Sequence, residues 1–381
     1  MEKRQNLSEK KYRILQICVD LDGGGIDRYL YNYCTRIEDI HFDFVKVDRG
    51  IIGILEPILE ARGSKIYSVP RQNGHVRENY AKLKHIITNG HYDAVHVHLG
   101  YMGFIALLCA KNCGVKTRIV HAHTAYEPES FKMKLKRVVF TILTRQFATN
   151  FAACGIDAAI WMWGKKTYEK GNSKVINNAI ETDKFTFKEA IRFAKRQQMG
   201  VGNDTIVLGN VGRVGPQKNQ LRLLEIFAEY KKMNSNSELW LVGNREYPDD
   251  VWYNKVSELK LADSVKMLGV RKDVPELLNA MDVFVFPSVY EGLPFTLVET
   301  QCNGLPALSS TAVTKHVKFT DEIEYLSLAD SDMIWVNNID RLAKRGHNPQ
   351  GAALVYSAGY DIEIESQKLK QYYIDLISTN N

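Results

Sequence analysis

The chain has 381 residues, 45% of them hydrophobic and 25% charged, with 26 glycines and 10 prolines; at about 100 to 200 residues per domain it makes two or three domains, each able to bury a full core. That composition excludes a disordered chain, a fibrous repeat and a small one-domain binding module. The net charge of +6 is uneven, since residues 1–180 hold 27 Lys and Arg against 17 Asp and Glu while residues 181–381 hold 23 against 27.

The N-terminal MEKRQNLSEKKYRILQ is charged and has no apolar run of signal-peptide length, so a cytosolic chain is expected. Tyr12 to Val19 reads as a buried strand, Asp22 to Gly25 as a tight loop and Ile26 to Glu38 as a helix. Gly23, Gly24 and Gly25 leave the backbone N–H groups and the positive end of that helix open to an anion, most naturally a phosphate. The dinucleotide pattern G-x-G-x-x-G fails where Arg28 follows, and no G-x-x-x-x-G-K-[ST] loop occurs. Further strands are expected at Phe42 to Val47, Ala94 to Val97 and Arg118 to His121. The stretch Ala94 to Ala110 falls short of the ~20 apolar residues of a spanning helix. Six cysteines without a C-x-x-C pair read as reduced, mostly core thiols.

Four histidines fall at strand ends, His96 and His98 in HVHLG and His121 and His123 in HAHTAY. Each pair lies on one strand face with no Cys, Asp or Glu nearby, so no metal is expected. The pairs fit the lining of a polar cleft, with one member meeting a substrate hydroxyl and with His96 and His121 also readable as core histidines. Lys132, Lys134, Lys136 and Arg137 then precede the apolar Val138, Val139, Phe140, Ile142 and Leu143. This is a basic amphipathic helix suited to anionic lipid, or a solvated helix with a buried apolar stripe. No aromatic-interleaved module is present, and nucleic acid is not an expected partner.

After a strand at Lys174 to Asn177 the strand-helix rhythm restarts at Ile206 to Val211, Leu239 to Val242, Val265 to Leu268 and Val283 to Phe286. The alternation predicts an α/β fold with two parallel sheets. The expected boundaries are residues 1–185, residues 186–360 and a C-terminal helix in 361–381 that crosses back to the first domain. Directly after the strand ending at Val211, Arg213 and Lys218 share a Gly/Pro-shaped loop and can converge on one diphosphate, Arg as a planar fork and Lys as a point charge. In PSVYEGLPFTLVETQCNGLP, Pro294 and Gly304 bracket a short helix carrying Glu299, with Glu291 before it. Glu299 can accept two protons from a vicinal diol such as ribose, and Gly292 to Phe295 can turn backbone N–H groups toward whatever Glu291 faces.

With E-x7-E at Glu291 to Glu299, G-R-x4-K at Gly212 to Lys218 and Gly-Gly at Gly24-Gly25, the sequence resembles the family 4 glycosyltransferases. The stretch Ile180 to Phe185 is similar to the family's domain-junction segment, and RIVHAHT with FAACGIDAAIWMWG looks like the branch that builds capsular or exopolysaccharide units in bacteria. The resemblance implies the GT-B fold, two Rossmann-like domains facing across a cleft, and transfer of a sugar with retained configuration from a nucleotide-diphosphate sugar, most naturally a UDP-sugar, to a glycan or lipid-linked saccharide. It implies no resident cofactor and no metal. By resemblance Arg213 and Lys218 hold the diphosphate, Glu291 the transferred sugar and Glu299 the ribose. Val270 and Arg271 border the nucleobase, and Gly24, Gly25, Gly292, Leu293, Pro294, Phe295 and Thr296 complete the donor site. His123 is the histidine near the sugar, with His121 the competing assignment. The implied location is the cytoplasm, with the basic helix reaching the inner face of the plasma membrane. A GT-B nucleotide-sugar epimerase and a non-catalytic nucleotide-sugar-binding protein are the alternatives. Asp27 stands where many relatives have Glu, Asn178 where they have Gly, and Thr300 where they have Ala.

Overall fold

The computed structural model describes residues 12–125 and 130–380, so most of the charged N-terminal stretch lies outside the described residues. In the first half, short apolar runs become parallel strands: β1 (Tyr12–Ile17), β2 (Ile40–Val47), β3 (Ile66–Val69), β4 (Ala94–Val97), β5 (Thr117–Ala122), β6 (Asn150–Ala153) and β7 (Ser173–Val175), in the order β3-β2-β1-β4-β5-β6-β7. The second half gives β8 (Ile206–Val211), β9 (Ser237–Val242), β10 (Val265–Gly269), β11 (Val283–Phe286), β12 (Ala307–Ser310) and β13 (Ile323–Leu326), ordered β10-β9-β8-β11-β12-β13. Both are doubly wound, Rossmann-like sheets. The strand order reverses between β1 and β4 in one and between β8 and β11 in the other, and at such points open α/β sheets leave a crevice beyond the strands' carboxyl ends.

Parallel strands covered on both faces need near-continuous apolar sequence, and β11, Val-Phe-Val-Phe, is buried throughout. Helices cover the sheets with one stripe each. In the helix Gln220–Met233 the buried residues Leu223, Leu224, Phe227 and Tyr230 recur at helical spacing, and they pack with Leu208, Val283, Val285 and Trp335 in the core of the second unit.

One unit comprises the residues up to Ala179 together with Ile362 onward, and the other is Ile180–Asp361. The C-terminal helix Ile362–Asn380 therefore belongs with the first sheet, and its buried Ile362, Leu369, Tyr373 and Ile377 mark the face it turns inward. Lys370 pairs with Asp39, and the guanidinium Nε of Arg36 donates to Glu363 at 2.7 Å.

The expected boundary after residue 185 requires correction. Residues 180–185 are bound into the second unit by specific hydrogen bonds: Ile180 N donates to Tyr360 O (2.9 Å), Thr182 Oγ1 to Asp361 (2.6 Å) and Asn303 Nδ2 to Phe185 O (3.0 Å). The segment just before them belongs to the first unit, where Tyr33 Oη donates to Asn177 O at 2.6 Å and Asn32 Nδ2 to Ala179 O at 2.9 Å. A six-residue shift in boundary is thus a matter of which carbonyls find donors.

Candidate functional site

In the second unit the loop after β8 runs from Gly212 to Asn219 into the helix Gln220–Met233. Gly212 has φ of +146°, and a Cβ there would lie 3.1 Å from Lys218 Cε, so glycine lets the lysine stem fold back over the loop. Gly243, at φ +137°, passes so close that a Cβ would sit 2.1 Å from Gly212 O. A buried side chain fixes the loop from within. Gln220 accepts from Gly215 N (2.9 Å) and donates to Asn210 Oδ1 (3.0 Å) and Arg213 O (3.1 Å), while Asn210 donates to Val285 O (2.8 Å) on β11. Sequence reasoning misses both Gln220 and Asn210, since an amide that satisfies buried backbone groups has no motif of its own.

The loop after β11 meets this one. Lys218 Nζ lies 2.6 Å from Glu291 Oε1, both side chains largely buried, and 4.6 Å from the centre of the Phe286 ring. Val289 N donates to Gln217 O (2.9 Å) and Gln217 Nε2 to Tyr290 O (3.2 Å), so the contact is pinned by backbone on either side. Lys218 and Glu291, drawn from separate motifs 73 residues apart, are therefore direct partners. Arg213 is different. Its guanidinium is 64% exposed and holds Glu246 at 2.9 Å, an ion pair at the surface that contributes little to stability and yields readily to another anion.

Beyond Glu291, Gly292 is half-buried, Leu293, Pro294 and Phe295 are buried, and Thr296 is half-buried at the start of the helix Phe295–Cys302. Pro294 is the N-cap and contributes no N–H. Glu299 is wholly buried in that helix, with both carboxylate oxygens shielded from solvent. Val270 is exposed after the edge strand β10, whereas Arg271 donates through Nε (2.7 Å) and a terminal nitrogen (2.6 Å) to Asp273. That fork, joined by Lys195 at 2.8 Å, holds the Asp273 carboxyl well below the usual carboxylate range.

In the first unit the glycine loop differs from the simple anion cradle. Asp27, buried at the start of the helix Gly25–Cys34, accepts from Gly24 N (2.8 Å) and Asp22 N (3.1 Å). The Gly24 N–H is thus committed to an internal carboxylate, whereas a Cβ at Gly25 would meet nothing within 4 Å. Burial, with Asp20 close by, pushes the Asp27 carboxyl up to about 7 against the pull of those backbone donors.

The histidines gather at the carboxyl ends of β4 and β5, beside β1. Gln16 of β1 pairs in register with His96 of β4, and His98 N donates to Ile17 O at 2.8 Å. His96, His98 and His121 are buried and His123 is half-buried, so of the two competing histidines it is His123 that reaches solvent. His98 Nδ1 and His123 Nε2 are 2.8 Å apart, His98 Nε2 and Gln16 Oε1 2.8 Å, and His96 Nδ1 and Tyr373 Oη 2.7 Å. Burial pushes His96 and His123 down to about 3 and holds His98 and His121 well below the usual imidazole range, which makes four neutral imidazoles. Nitrogens of His96, His98 and His121 lie within 4.8 Å of one another. No carboxylate or thiolate joins that group among the described residues, and both nitrogens of His98 are already hydrogen-bonded. The three-way clustering is not visible in sequence because it depends on β4 lying beside β5.

The chain is similar to known proteins. Residues 191–322 match the family described as glycosyl transferases group 1. Glycosyltransferase EpsF of Bacillus subtilis is 30% identical over 351 residues, 90% of either chain. The chain belongs to the glycosyltransferase family. The UDP-Gal:alpha-D-GlcNAc-diphosphoundecaprenol alpha-1,3-galactosyltransferase of Escherichia coli is 29% identical over 75% of this glycosyltransferase and 76% of its own length. HepE of Anabaena, solved with UDP-glucose, shares the fold with a TM-score of 0.80 at 19% identity, covering 96% of this chain and all of that one.

Proposed function

We propose that this glycosyltransferase moves a sugar, with retained anomeric configuration, from a UDP-sugar to a saccharide or lipid-linked saccharide acceptor in capsule or exopolysaccharide assembly. The observation that carries the reading is the Lys218–Glu291 pair at the switch point of the second sheet, with Arg213 on the same loop. The names of the relatives support the substrates, since the Escherichia coli enzyme is named for UDP-Gal and a diphosphoundecaprenol-linked sugar and HepE was solved with UDP-glucose.

As the bond from the sugar's C1 to the diphosphate oxygen breaks, negative charge grows on the departing phosphate and positive charge on the sugar. Groups that bind the first more strongly in the transition state than in the ground state raise the rate. Lys218 and Arg213 are such groups, and a unit charge at about 4 Å contributes ~4 kcal/mol at an effective dielectric of 20, or roughly a thousandfold. With these cations no metal or resident cofactor is required. The acceptor hydroxyl bonds to C1 on the face the diphosphate leaves and passes its proton to the departing phosphate oxygen. Glu291 takes the sugar's hydroxyls, Glu299 the ribose and His123 a further sugar hydroxyl, with Gly25 and the Gly292–Thr296 segment beside the donor and Val270 at the base. Incubation with UDP-, GDP- and ADP-sugars and a diphosphopolyprenol-linked acceptor tests the reading, with product anomers read by NMR. A free or epimerised sugar released without acceptor would favour the epimerase alternative.

We also read the helix Phe131–Phe147 as a cytoplasmic seat on anionic membrane. Phe131 is 81% exposed, and Met133, Leu135, Val138, Val139 and Ile142 are exposed with it among Lys132, Lys134, Lys136 and Arg137. Such an apolar patch rimmed by cations fits the headgroup boundary of an anionic leaflet. No helix among the described residues is long and apolar enough to cross a membrane.

A further inference from the structure

The histidine cluster contains an ordered row of donors and acceptors that begins on the C-terminal helix. Gln16 Nε2 donates to Tyr373 Oη at 3.2 Å, which turns Gln16 Oε1 toward His98 Nε2 at 2.8 Å. A carbonyl oxygen only accepts, so His98 carries its proton on Nε2. His98 is buried and neutral, and a neutral imidazole with Nε2–H has a lone pair on Nδ1. That lone pair faces His123 Nε2 at 2.8 Å, which must therefore be the donor. His123 is then left with a bare Nδ1.

We infer that the Gln16 amide, held by Tyr373, sets the tautomer of His123 through His98, so that His123 offers Nδ1 as a hydrogen-bond acceptor to a substrate hydroxyl. Gln16, His98 and Tyr373 are positioning residues, since each acts through the next. The arrangement matters because a ring nitrogen that accepts and one that donates select opposite partners. Sugar hydroxyls that must donate are bound by the first and refused by the second, and a fixed tautomer avoids the loss of affinity that a mixture carries. The row also ties the C-terminal helix to the cluster, because Tyr373, 277 residues from His96, closes it through hydrogen bonds to both Gln16 and His96. Turning the amide over would reverse every bond and put the proton of His123 on Nδ1. The direction of the Gln16 amide is therefore the variable that decides. The hydroxyl rests on the proposed function, whereas the tautomer does not.

The test is long-range proton–nitrogen NMR of the full chain labelled with 15N-histidine, with His123 assigned by its loss in His123→Phe. The expected result is the Nε2–H form for wild-type His123 and a shift toward a mixture in Gln16→Leu, with nucleoside diphosphate binding unchanged. Tyr373→Phe frees the amide without emptying the space and serves should Gln16→Leu fail to fold; it is expected to give the same mixture. Nδ1–H in the wild type, or an unmoved Nε2–H form in the variants, overturns the inference. In the transfer assay the variants are expected to lose tenfold or more in kcat/KM for the donor sugar, and retention of wild-type values overturns the hydroxyl contact. A wild type that holds the Nε2–H tautomer yet transfers no sugar contradicts the proposed function while leaving the row intact.

Discussion

Replacing Lys218 by Met removes one charge from a largely buried pair and keeps the stem that lies over Gly212 and Phe286. Glu291 then remains inside the second unit opposite no cation, and removing one partner of a buried pair typically destabilises by about 3 to 5 kcal/mol. The side chains retain 15% and 8% exposure, so the lower end applies, about 3 kcal/mol. For a unit of this size that is a fall in melting temperature of roughly 6 to 12 °C. Glu291→Gln in the same chain removes the stranded charge, and the double variant is expected within about 1 kcal/mol of wild type, because a neutral pair of similar shape avoids the desolvation cost altogether. Transfer behaves otherwise. Both Lys218→Met and the double variant are expected to lose roughly a thousandfold in kcat/KM, since neither restores a cation to the departing diphosphate. Chemical denaturation of wild type, both single variants and the double variant, followed by transfer assays on each, separates the two roles. A Lys218→Met variant as stable as wild type, or a double variant no more stable than Lys218→Met, refutes the reasoning about the pair.

Arg213→Ala is expected to change stability by no more than about 0.5 kcal/mol, because its Glu246 pair is exposed, while weakening nucleoside diphosphate binding tenfold or more in calorimetry. Glu299→Gln is expected to weaken nucleotide binding without altering salt dependence, and unchanged affinity contradicts the ribose contact. For Asp27 the folded-state value of about 7 exceeds the unfolded one near 3.9, so the proton held by the folded chain stabilises it fully below about pH 4. That contribution, at most about 4 kcal/mol, is lost as pH rises toward 7, and Asp27→Asn should flatten the melting-temperature profile across this window. Exchanging Lys132, Lys134, Lys136 and Arg137 for Gln is expected to release the protein from phosphatidylserine vesicles in a flotation assay while sparing the transfer of sugar to a soluble acceptor.

The doubly wound plan was legible because buried parallel strands such as β8 and β11 are apolar runs closed by Gly or Pro, and the C-terminal helix because Leu369, Tyr373 and Ile377 recur at helical spacing. The strands β3, β6, β12 and β13 were not. Asn150–Ala153, Ala307–Ser310 and Ile323–Leu326 are four residues each, and Ser309 and Ser310 are polar residues buried inside a sheet, where neighbours rather than composition decide the state. Of the candidate site, Lys218 and Glu291 stand out in the sequence by type and motif spacing, and the structure makes them partners. What escaped were contacts across sequence. Glu246 facing Arg213 and Gln16 beside His98 depend on which strands are neighbours, and Gln220 stapling its loop and Asp27 turning back onto Gly24 depend on local bends that no apolar pattern encodes.

The central claim is that Arg213 and Lys218 grip a diphosphate, and the most direct measurement compares UDP, GDP and ADP with their parent nucleosides in calorimetry against wild type, Arg213→Ala and Lys218→Met. One diphosphate should bind the wild type at least tenfold more tightly than its nucleoside, with that advantage largely gone in both variants. Equal affinity for diphosphate and nucleoside, or an advantage that survives in the variants, contradicts the account.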